Sequence, residues 1–566
     1  MLFSGKEFLQ MAVKWLLKHS KKHIPSIIFV SFLNGAYAIV NILFALFCKN
    51  IIDSAVSGDH KRLVLYSGLM FFVIMTAFLI RILSNSIAEK VRVRLEITYR
   101  TIILESLCKK KYSDISKFHS GELLNRLFSD VSIISSSVTG IVPSLVLMVT
   151  QAVGALIILF VLSPLFTAVF FTGGILLVIA TALFRSKMKS LHKLVQSKAG
   201  KVRSYIQEFL ENILVIKVFQ SEERVLKRSS VYQEEYYDAQ MKRRRISILA
   251  GACMGFAFEF AYLAALYIGA TSLMSGSMTY GTLTAILQLI GQVQRPLSNL
   301  SGLIPQYYQM TASTERLMEL ENLENESLAA LENSENISDY YKHMVKLECR
   351  NVSFSYGRNT ILDNTDFIVN KGDFVSISGV SGGGKTSLFL LLMGAYLPSS
   401  GSLRISTDKG EDIPLGKNTR GLFAWVPQGN YIFSGTLREN ITFLNDKVSD
   451  HMIQKAIHIA CAEDFIDTLP LGLDTVLGER GNGLSEGQIQ RIAIARAILS
   501  NADILMFDEA TSALDEETEL RVLENISGLK DKTCIIVTHR KAAINYCNRH
   551  YYLENGRLEE REYVSN

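Results

Sequence analysis

The sequence is short of the features that would close it into an ordinary soluble fold. Charged residues make up only 20% of 566 positions, against 48% hydrophobic residues, where soluble domains usually carry more charge. Seven cysteines lie far apart, with no CxxC spacing and no Cys/His cluster. That excludes a disulfide framework and a zinc module, and implies reduced thiols. A net charge of +5 is small for this length and gives no ground for a nucleic-acid partner. The basic, amphipathic first stretch has no small-residue cleavage site, so it is expected as a helix on a membrane surface rather than a signal peptide. Proline is missing between Pro25 and Pro143 and again between Pro164 and Pro296. Long helices can therefore run through both intervals without their strongest breaker.

Long apolar runs are present instead. A bilayer span needs about 20 residues. Six candidates lie near Pro25–Cys48, Leu63–Ile87, Ser136–Leu162, Leu165–Phe184, Ile246–Leu273 and Thr282–Ile304. Gln288, Gln292, Gln294 and Arg295 interrupt the sixth. Basic clusters at Lys18, Lys21 and Lys22, at Lys109–Lys111, and at Arg243–Arg245 fall in segments that share one side. The positive-inside rule makes that side the cytoplasm. The connections at Ser163–Pro164 and Met274–Gly281 carry no Lys or Arg, whereas the first outer loop carries Lys61 and Arg62 against the pattern. Residues 88–135 and 185–245 are charged and rich in helix formers, so the spans are expected to continue into the cytoplasm. About 20 extra residues reach about 30 Å past the bilayer. The turns are expected near Ser113–Gly121 and Glu208–Ile216.

After Thr314 the chain becomes polar, acidic and Asn-rich, which reads as a linker over 315–344. From about Val345, β-branched runs alternate with helical segments, as in an α/β domain. The expected fold is thus multidomain. An all-α polytopic membrane domain, with six transmembrane helices and long cytoplasmic extensions, occupies 1–314. An α/β domain occupies 345–566, and the motifs that follow make it an expected P-loop ATPase.

The string GVSGGGKT, Gly379 to Thr386, follows the apolar run FVSIS and precedes a helical stretch. Strand, glycine loop and helix together form a phosphate cradle. Gly379, Ser381, Gly382, Gly383 and Gly384 present backbone N–H groups, and the helix start adds partial positive charge. Lys385 is expected on the β- and γ-phosphates of ATP. Thr386, with Ser387 beside it, is expected near Mg²⁺. ILMFDE then places Asp508 in the Mg²⁺ shell and Glu509 where a base polarises the attacking water.

These strings, with LSEGQ (Leu484 to Gln488), WVPQ, VTHR, SALD and VSFSY, resemble the nucleotide-binding domain of ABC transporters in type and order. The resemblance covers nearly all of 345–560. It implies that Tyr356 stacks on adenine, that Gln428 touches metal and attacking water, and that His539 is the switch histidine. It further implies that Ser485, Gly487 and Gln488, with Asp515, face ATP held by a partner. The segment Gly478–Gly481 matches a string found before the signature in exporters. SGELLNRLFSDV, Ser120 to Val131, resembles an exporter pattern near the first cytoplasmic turn.

By the same resemblance, the chain is expected to be an ATP hydrolase coupled to transport, working as a dimer. Two copies are favoured because Glu509, His539 and Gln428 are all intact; a related half-transporter is the other partner considered. An amphipathic small molecule or peptide is the expected cargo, exported across a bacterial cytoplasmic membrane, with both termini and the ATPase cytoplasmic. A lipid flippase and an exporter-fold importer of a siderophore-like ligand remain open alternatives. A soluble ABC ATPase is opposed by the six spans. The signature departs from the common LSGGQ at Glu486. S-x-x-Q is a capping-box spacing, so Glu486 is expected to point away from phosphate. Inside the spans, Glu259 is a cargo-binding or a helix-packing acid. Gln288, Gln292 and Arg295, at i, i+4 and i+7, are expected on one face toward a cargo cavity.

Overall fold

The computed structural model describes residues 5–326 and 337–562, apart from 358, 430, 479, 480, 482 and 530. The chain divides into two compact units: Met1–Ser106 with Ser120–Asn322, and Leu107–His119 with Leu323–Asn566.

The first unit is built of helices, the longest of which carry no internal proline. In chain order these are α1 (Gly5–Ser20), α2 (Ile24–Val56) and α3 (His60–Leu107), whose last residue belongs to the second unit. There α4 (Tyr112–Ile115) makes the first turn. Back in the first unit come α5 (Ser120–Asn125), α6 (Val131–Leu162), α7 (Pro164–Glu211), α8 (Ile213–Val218), α9 (Glu222–Met274) and α10 (Tyr280–Glu321). The two short helices α4 and α8 fall where the turns are expected. Among the described residues, four helical stretches are long and apolar enough to cross a membrane: Gln10–Val56, His60–Leu107, Ser120–Leu162 and Glu222–Met274. The expected fourth and sixth spans lie on α7 and α10, of 48 and 42 residues.

Val64, Leu65, Leu69, Phe71, Phe72 and Phe78 of α3 are all exposed. Water tolerates no such patch on a soluble protein, so a bilayer is the medium that fits. Within the bundle, Ile42, Ala155, Leu159, Ile286, Leu289 and Ile290 form a buried seam between α2, α6 and α10.

The cytoplasmic end of this unit is held by ions rather than by fat. A π-helical turn, Arg126–Asp130, joins α5 to α6. Asp130, 1% exposed, accepts from Ser313 Oγ at 2.9 Å and from Arg316 Nε at 2.7 Å. Buried Arg126 donates to Arg316 O at 2.8 Å and pairs with Glu319 at 2.8 Å. This is a physical use for the SGELLNRLFSDV string, since both charges it buries are answered from α10. Helix α1 docks by the same logic. Its Trp15 indole donates to Glu321, and Ser20 Oγ lies 2.6 Å from the buried Tyr99 hydroxyl.

The second unit contains a helix, α11 (Ile337–Lys342), then two main sheets. One is antiparallel, in the order β2-β1-β4-β5, from β1 (Met344–Tyr356), β2 (Asn359–Asn370), β4 (Ser400–Thr407) and β5 (Asp412–Pro414). The other is built around parallel strands β3 (Phe374–Gly379), β6 (Phe423–Val426), β7 (Ile504–Asp508), β8 (Thr533–Val537) and β9 (Arg549–Glu554). Antiparallel β10 (Arg557–Glu560) closes its edge, giving the order β10-β9-β3-β8-β7-β6. Every residue of β7 and β8 is buried. Near-continuous apolar strands are what two covered faces require.

Helix α10 runs to Glu321, beyond residue 314, because Arg316 and Glu319 have ion-pair partners that extend the helix as a packed element. The expected linker 315–344 is structured where it is described. Glu326 N donates to Lys109 O at 2.9 Å and Lys111 N to Glu324 O at 3.1 Å. Residues 327–336 of the expected linker lie outside the described residues.

Candidate nucleotide site

The parallel sheet explains how residues distant in sequence meet. Gly379 ends β3, Gln428 follows β6, Asp508 ends β7 and His539 follows β8. All four lie at the carboxyl edge of the sheet, where ligands bind in open α/β folds. The loop after β3 leads into α12 (Lys385–Leu392), whose N-cap Gly384 has φ 106°. A Cβ there would lie 2.6 Å from Ile361 Cγ2, so both conformation and space demand glycine.

Lys385 is 7% exposed, and its Nζ donates to Gly379 O at 2.7 Å and Val380 O at 3.1 Å. His539 Nε2 is 3.4 Å from the same Nζ. Thr386 Oγ1 donates to Asp508 Oδ2 at 2.7 Å. Burial pushes the Asp508 carboxyl above its ordinary range, with Glu509 adding to the shift and Thr386 and Lys385 opposing it. The Thr386 hydroxyl and the Asp508 carboxylate are hard oxygen donors, and a buried carboxylate under that stress suits a divalent cation. The residues fit Mg²⁺.

Glu509 sits at φ 51°, with its backbone N–H bonded to Val537 O at 3.0 Å. Its Oε2 accepts from Gln428 Nε2 at 2.8 Å, and its Oε1 lies 4.0 Å from His539 Nε2. Gln428, Glu509, His539, Lys385, Thr386 and Asp508 therefore form one connected cluster. Tyr356, 42% exposed, stands at its edge, with Ser387 Oγ donating to its hydroxyl at 3.4 Å.

A second group lies at the start of α13 (Glu486–Leu499). Ser485 and Gln488 form the expected capping box, with Ser485 N donating to Gln488 Oε1 at 2.8 Å. Glu486 is exposed in the first helical turn. Gly487 passes so close to Ala513 O that a Cβ would lie 2.8 Å from it. Asp515 caps α14 (Glu516–Ser527) by accepting from Thr518 N at 2.9 Å. Among the described residues no hydrogen bond joins Ser485, Gly487 or Gln488 to the 379–386 loop. Glu479 and Arg480 of the Gly478–Gly481 string lie outside the described residues. Because Glu486 stands free of the capping box, Glu486→Gly is expected to change ATP turnover by less than about threefold. A tenfold rise in phosphate release would reverse that reading.

The motif strings do not disclose two organising roles. Gln490 Nε2 donates to Ser512 Oγ at 3.2 Å and its Oε1 accepts from Ala513 N at 3.0 Å. Arg540 donates to Leu514 O at 2.9 Å, to Ser512 O at 2.6 Å and to buried Glu519 at 2.8 Å. Together they tie the loop after Glu509 to α13 and α14.

Among the described residues, no hydrogen bond or ion pair joins the expected cargo residues Glu259, Gln288, Gln292 and Arg295 to one another. Gln292 Nε2 donates to Asn41 O of α2 at 2.8 Å. The side-chain oxygens of Gln288 and Gln292 are buried without a hydrogen-bond partner. Arg295, expected on the same face, is exposed, as is Glu259 on α9 between the exposed Phe256 and Phe260.

Comparisons with known proteins respect the same division of the chain. Residues 26–297 match the ABC transporter transmembrane region, and 362–512 match the ABC transporter ATPase model. An ATP-dependent lipid A-core flippase of Desulfotalea psychrophila is 30% identical over 79% of this chain and 78% of its own. ABC transporter B family member 1 of Dictyostelium discoideum is 30% identical over 81% of this chain, which spans about half that relative's length. Among solved structures, a bacterial Atm1-family ABC exporter with ATP bound superposes with a TM-score of 0.76. It is 25% identical and covers 95% of this chain and 94% of its own.

Proposed function

This chain belongs to the ABC transporter family, as a half-transporter of the exporter type, and from that premise we propose that two copies pair to export an amphipathic molecule. The chain is a multi-pass membrane protein that couples ATP hydrolysis to transport. Our reading of the site assigns roles within that frame. Lys385 and the 379–384 backbone hold the triphosphate, while Tyr356 stacks on the base. Thr386 and Asp508 would hold Mg²⁺, with Gln428 near it, and the ion would supply positive charge against the phosphates. Glu509 accepts the proton of the attacking water, and Gln428 and His539 orient Glu509 and the γ-phosphate. Ser485, Gly487, Gln488 and Asp515 complete the site of the other copy.

The observation that carries this reading is the 2.8 Å bond from Gln428 to Glu509, one residue beyond the Asp508–Thr386 pair at 2.7 Å. A solvated acidic pair at a strand end has no reason to be gripped on both members.

For the cargo we favour a molecule with an apolar body and neutral hydrogen-bond donors. Among the described residues, the buried acceptors on α10 that lack partners are the amide oxygens of Gln288 and Gln292, which are neutral. Lipid flipping is a second reading, favoured by the lipid A-core flippase name that four relatives carry.

Inside-out vesicles containing the protein test direction and cargo together. With MgATP outside, uptake of a fluorescent amphipathic dye is expected to rise several-fold. Flipping of a fluorescent phospholipid without dye uptake would select the lipid reading. Dye accumulation only in right-side-out vesicles loaded with ATP would overturn export.

A further inference from the structure

We propose that Tyr396 is a positioning residue, carrying the presence of adenine at Tyr356 to the cytoplasmic segment 107–119. The proposal rests on the ATP-site reading above and deepens it. Tyr396 stands edge-on to Tyr356, with ring centroids 5.4 Å apart at 90°. Its other side meets Tyr112 at 5.7 Å and 84°. Its hydroxyl lies 2.9 Å from Ser116 Oγ. Phe354 backs the cluster, 4.8 Å from Tyr356 and 5.5 Å from Tyr396. Phe354, Tyr356 and Tyr396, with Lys111, Ser113 and Ser116, line a cavity of about 1010 Å³.

The mount of Tyr396 makes it a lever rather than a filler. It lies just past α12, the helix that begins with Lys385 and Thr386. Ala395 N and Tyr396 N both donate to Leu390 O, at 2.8 and 3.3 Å. Arg420 donates to Met393 O and Gly394 O, each at 3.1 Å, and pairs with Glu326. Phosphate at one end of α12 and base at Tyr356 thus bear on a single ring. Tyr356 and Tyr112 are 42% and 48% exposed, so each ring has room to turn when a base stacks. Edge-to-face pairs have a preferred angle, so a turn of one ring shifts the stability of the next. Tyr396 itself need not touch the nucleotide.

Native Cys108, exposed at the start of this segment, is the reporter, and its rate in the nucleotide-free protein is the reference. The full-length protein in nanodiscs of phosphatidylethanolamine and phosphatidylglycerol is alkylated with N-ethylmaleimide, and each cysteine is followed by peptide mass spectrometry. MgATP is expected to change the Cys108 rate about fivefold relative to the nucleotide-free protein. Magnesium tripolyphosphate, which has no base, is expected to change it less than about twofold. Tyr396→Leu should abolish the ATP response while basal kcat and the KM for ATP stay within about twofold. Tyr396→Phe and Ser116→Ala should each weaken the response, and their combination should add nothing, as for one shared bond. A full ATP response in Tyr396→Leu would overturn the proposal, as would an equal response to tripolyphosphate. So would a collapse of kcat/KM alongside the lost response, which would put Tyr396 inside the ATP site. If Tyr396→Leu fails to fold, the Phe and Ala arms decide. Failure of the base assignment is separable, because Glu509→Gln should keep the Cys108 response whatever it does to hydrolysis.

Discussion

Glu509→Gln is expected to lower phosphate release by about 10²- to 10⁴-fold, the usual range for loss of a general base, while ATP stays bound. The substitution replaces one carboxylate oxygen by an amide nitrogen and alters neither size nor backbone. That matters at this position, because Glu509 holds φ 51° and its N–H is part of the β7–β8 edge. The Gln428 Nε2 donor meets Oε2 at 2.8 Å, and an amide oxygen accepts that bond equally well. Folding and the nucleotide cradle should therefore survive. What disappears is the group able to take a proton from water. The paired measurement is phosphate release against ATP retained per chain after rapid desalting. Retained ATP with stalled release supports the assignment, and the stalled dimer is a suitable state for a cargo screen. Wild-type turnover in Glu509→Gln would move the base elsewhere and leave the Gln428 bond without a catalytic purpose.

The difference between what the sequence discloses and what it hides is physical. Motif residues are legible because phosphate chemistry restricts residue types: only glycine fits φ 106° at Gly384, and only a lysine puts a positive charge on a flexible stem at Lys385. Helices α3 and α9 are legible because proline is absent from them and apolar length maps directly onto the bilayer, whereas α6 and α10 form around internal Pro143, Pro296 and Pro305. The boundary between the two units is not. Polarity after Thr314 reads as a linker, yet Arg316 and Glu319 are polar because they meet Asp130 and Arg126 across the fold. A charged residue on a surface and one in a buried pair look identical in sequence. The same holds for Gln490, Arg540 and Tyr396, whose partners lie 22, 28 and 280 positions away. The capping box at Ser485–Gln488 is legible because its partners are three residues apart. Local rules can be read from one string, whereas tertiary pairing cannot.

Lys385→Ala is expected to weaken ATP binding about a hundredfold and to abolish transport. The reason starts from what the ammonium does in the loop. It is 7% exposed and bonds to the carbonyls of Gly379 and Val380, so it staples the start of the cradle to its end. When phosphate is bound, the same donors are the natural partners of its oxygens. Charge-assisted hydrogen bonds contribute about 1.5–3 kcal/mol each, and about 1.4 kcal/mol is tenfold in affinity. Loss of about 3 kcal/mol gives the stated factor. Alanine also leaves two carbonyls without their donor, so a competing explanation is local collapse of the loop. Lys385→Arg separates the two: it keeps charge and donors in a planar, bulkier head that the buried site does not fit. If affinity is set by charge alone, arginine should restore binding; if geometry at the phosphates decides, it should not. We expect little restoration, because Nζ reaches both carbonyls and sits 3.4 Å from His539 in a space shaped for a compact ammonium. The measurement is equilibrium binding of a fluorescent ATP analogue to both variants, with thermal unfolding as the fold control. Transport at the wild-type rate in Lys385→Ala would show that this loop is not the site of the driving nucleotide.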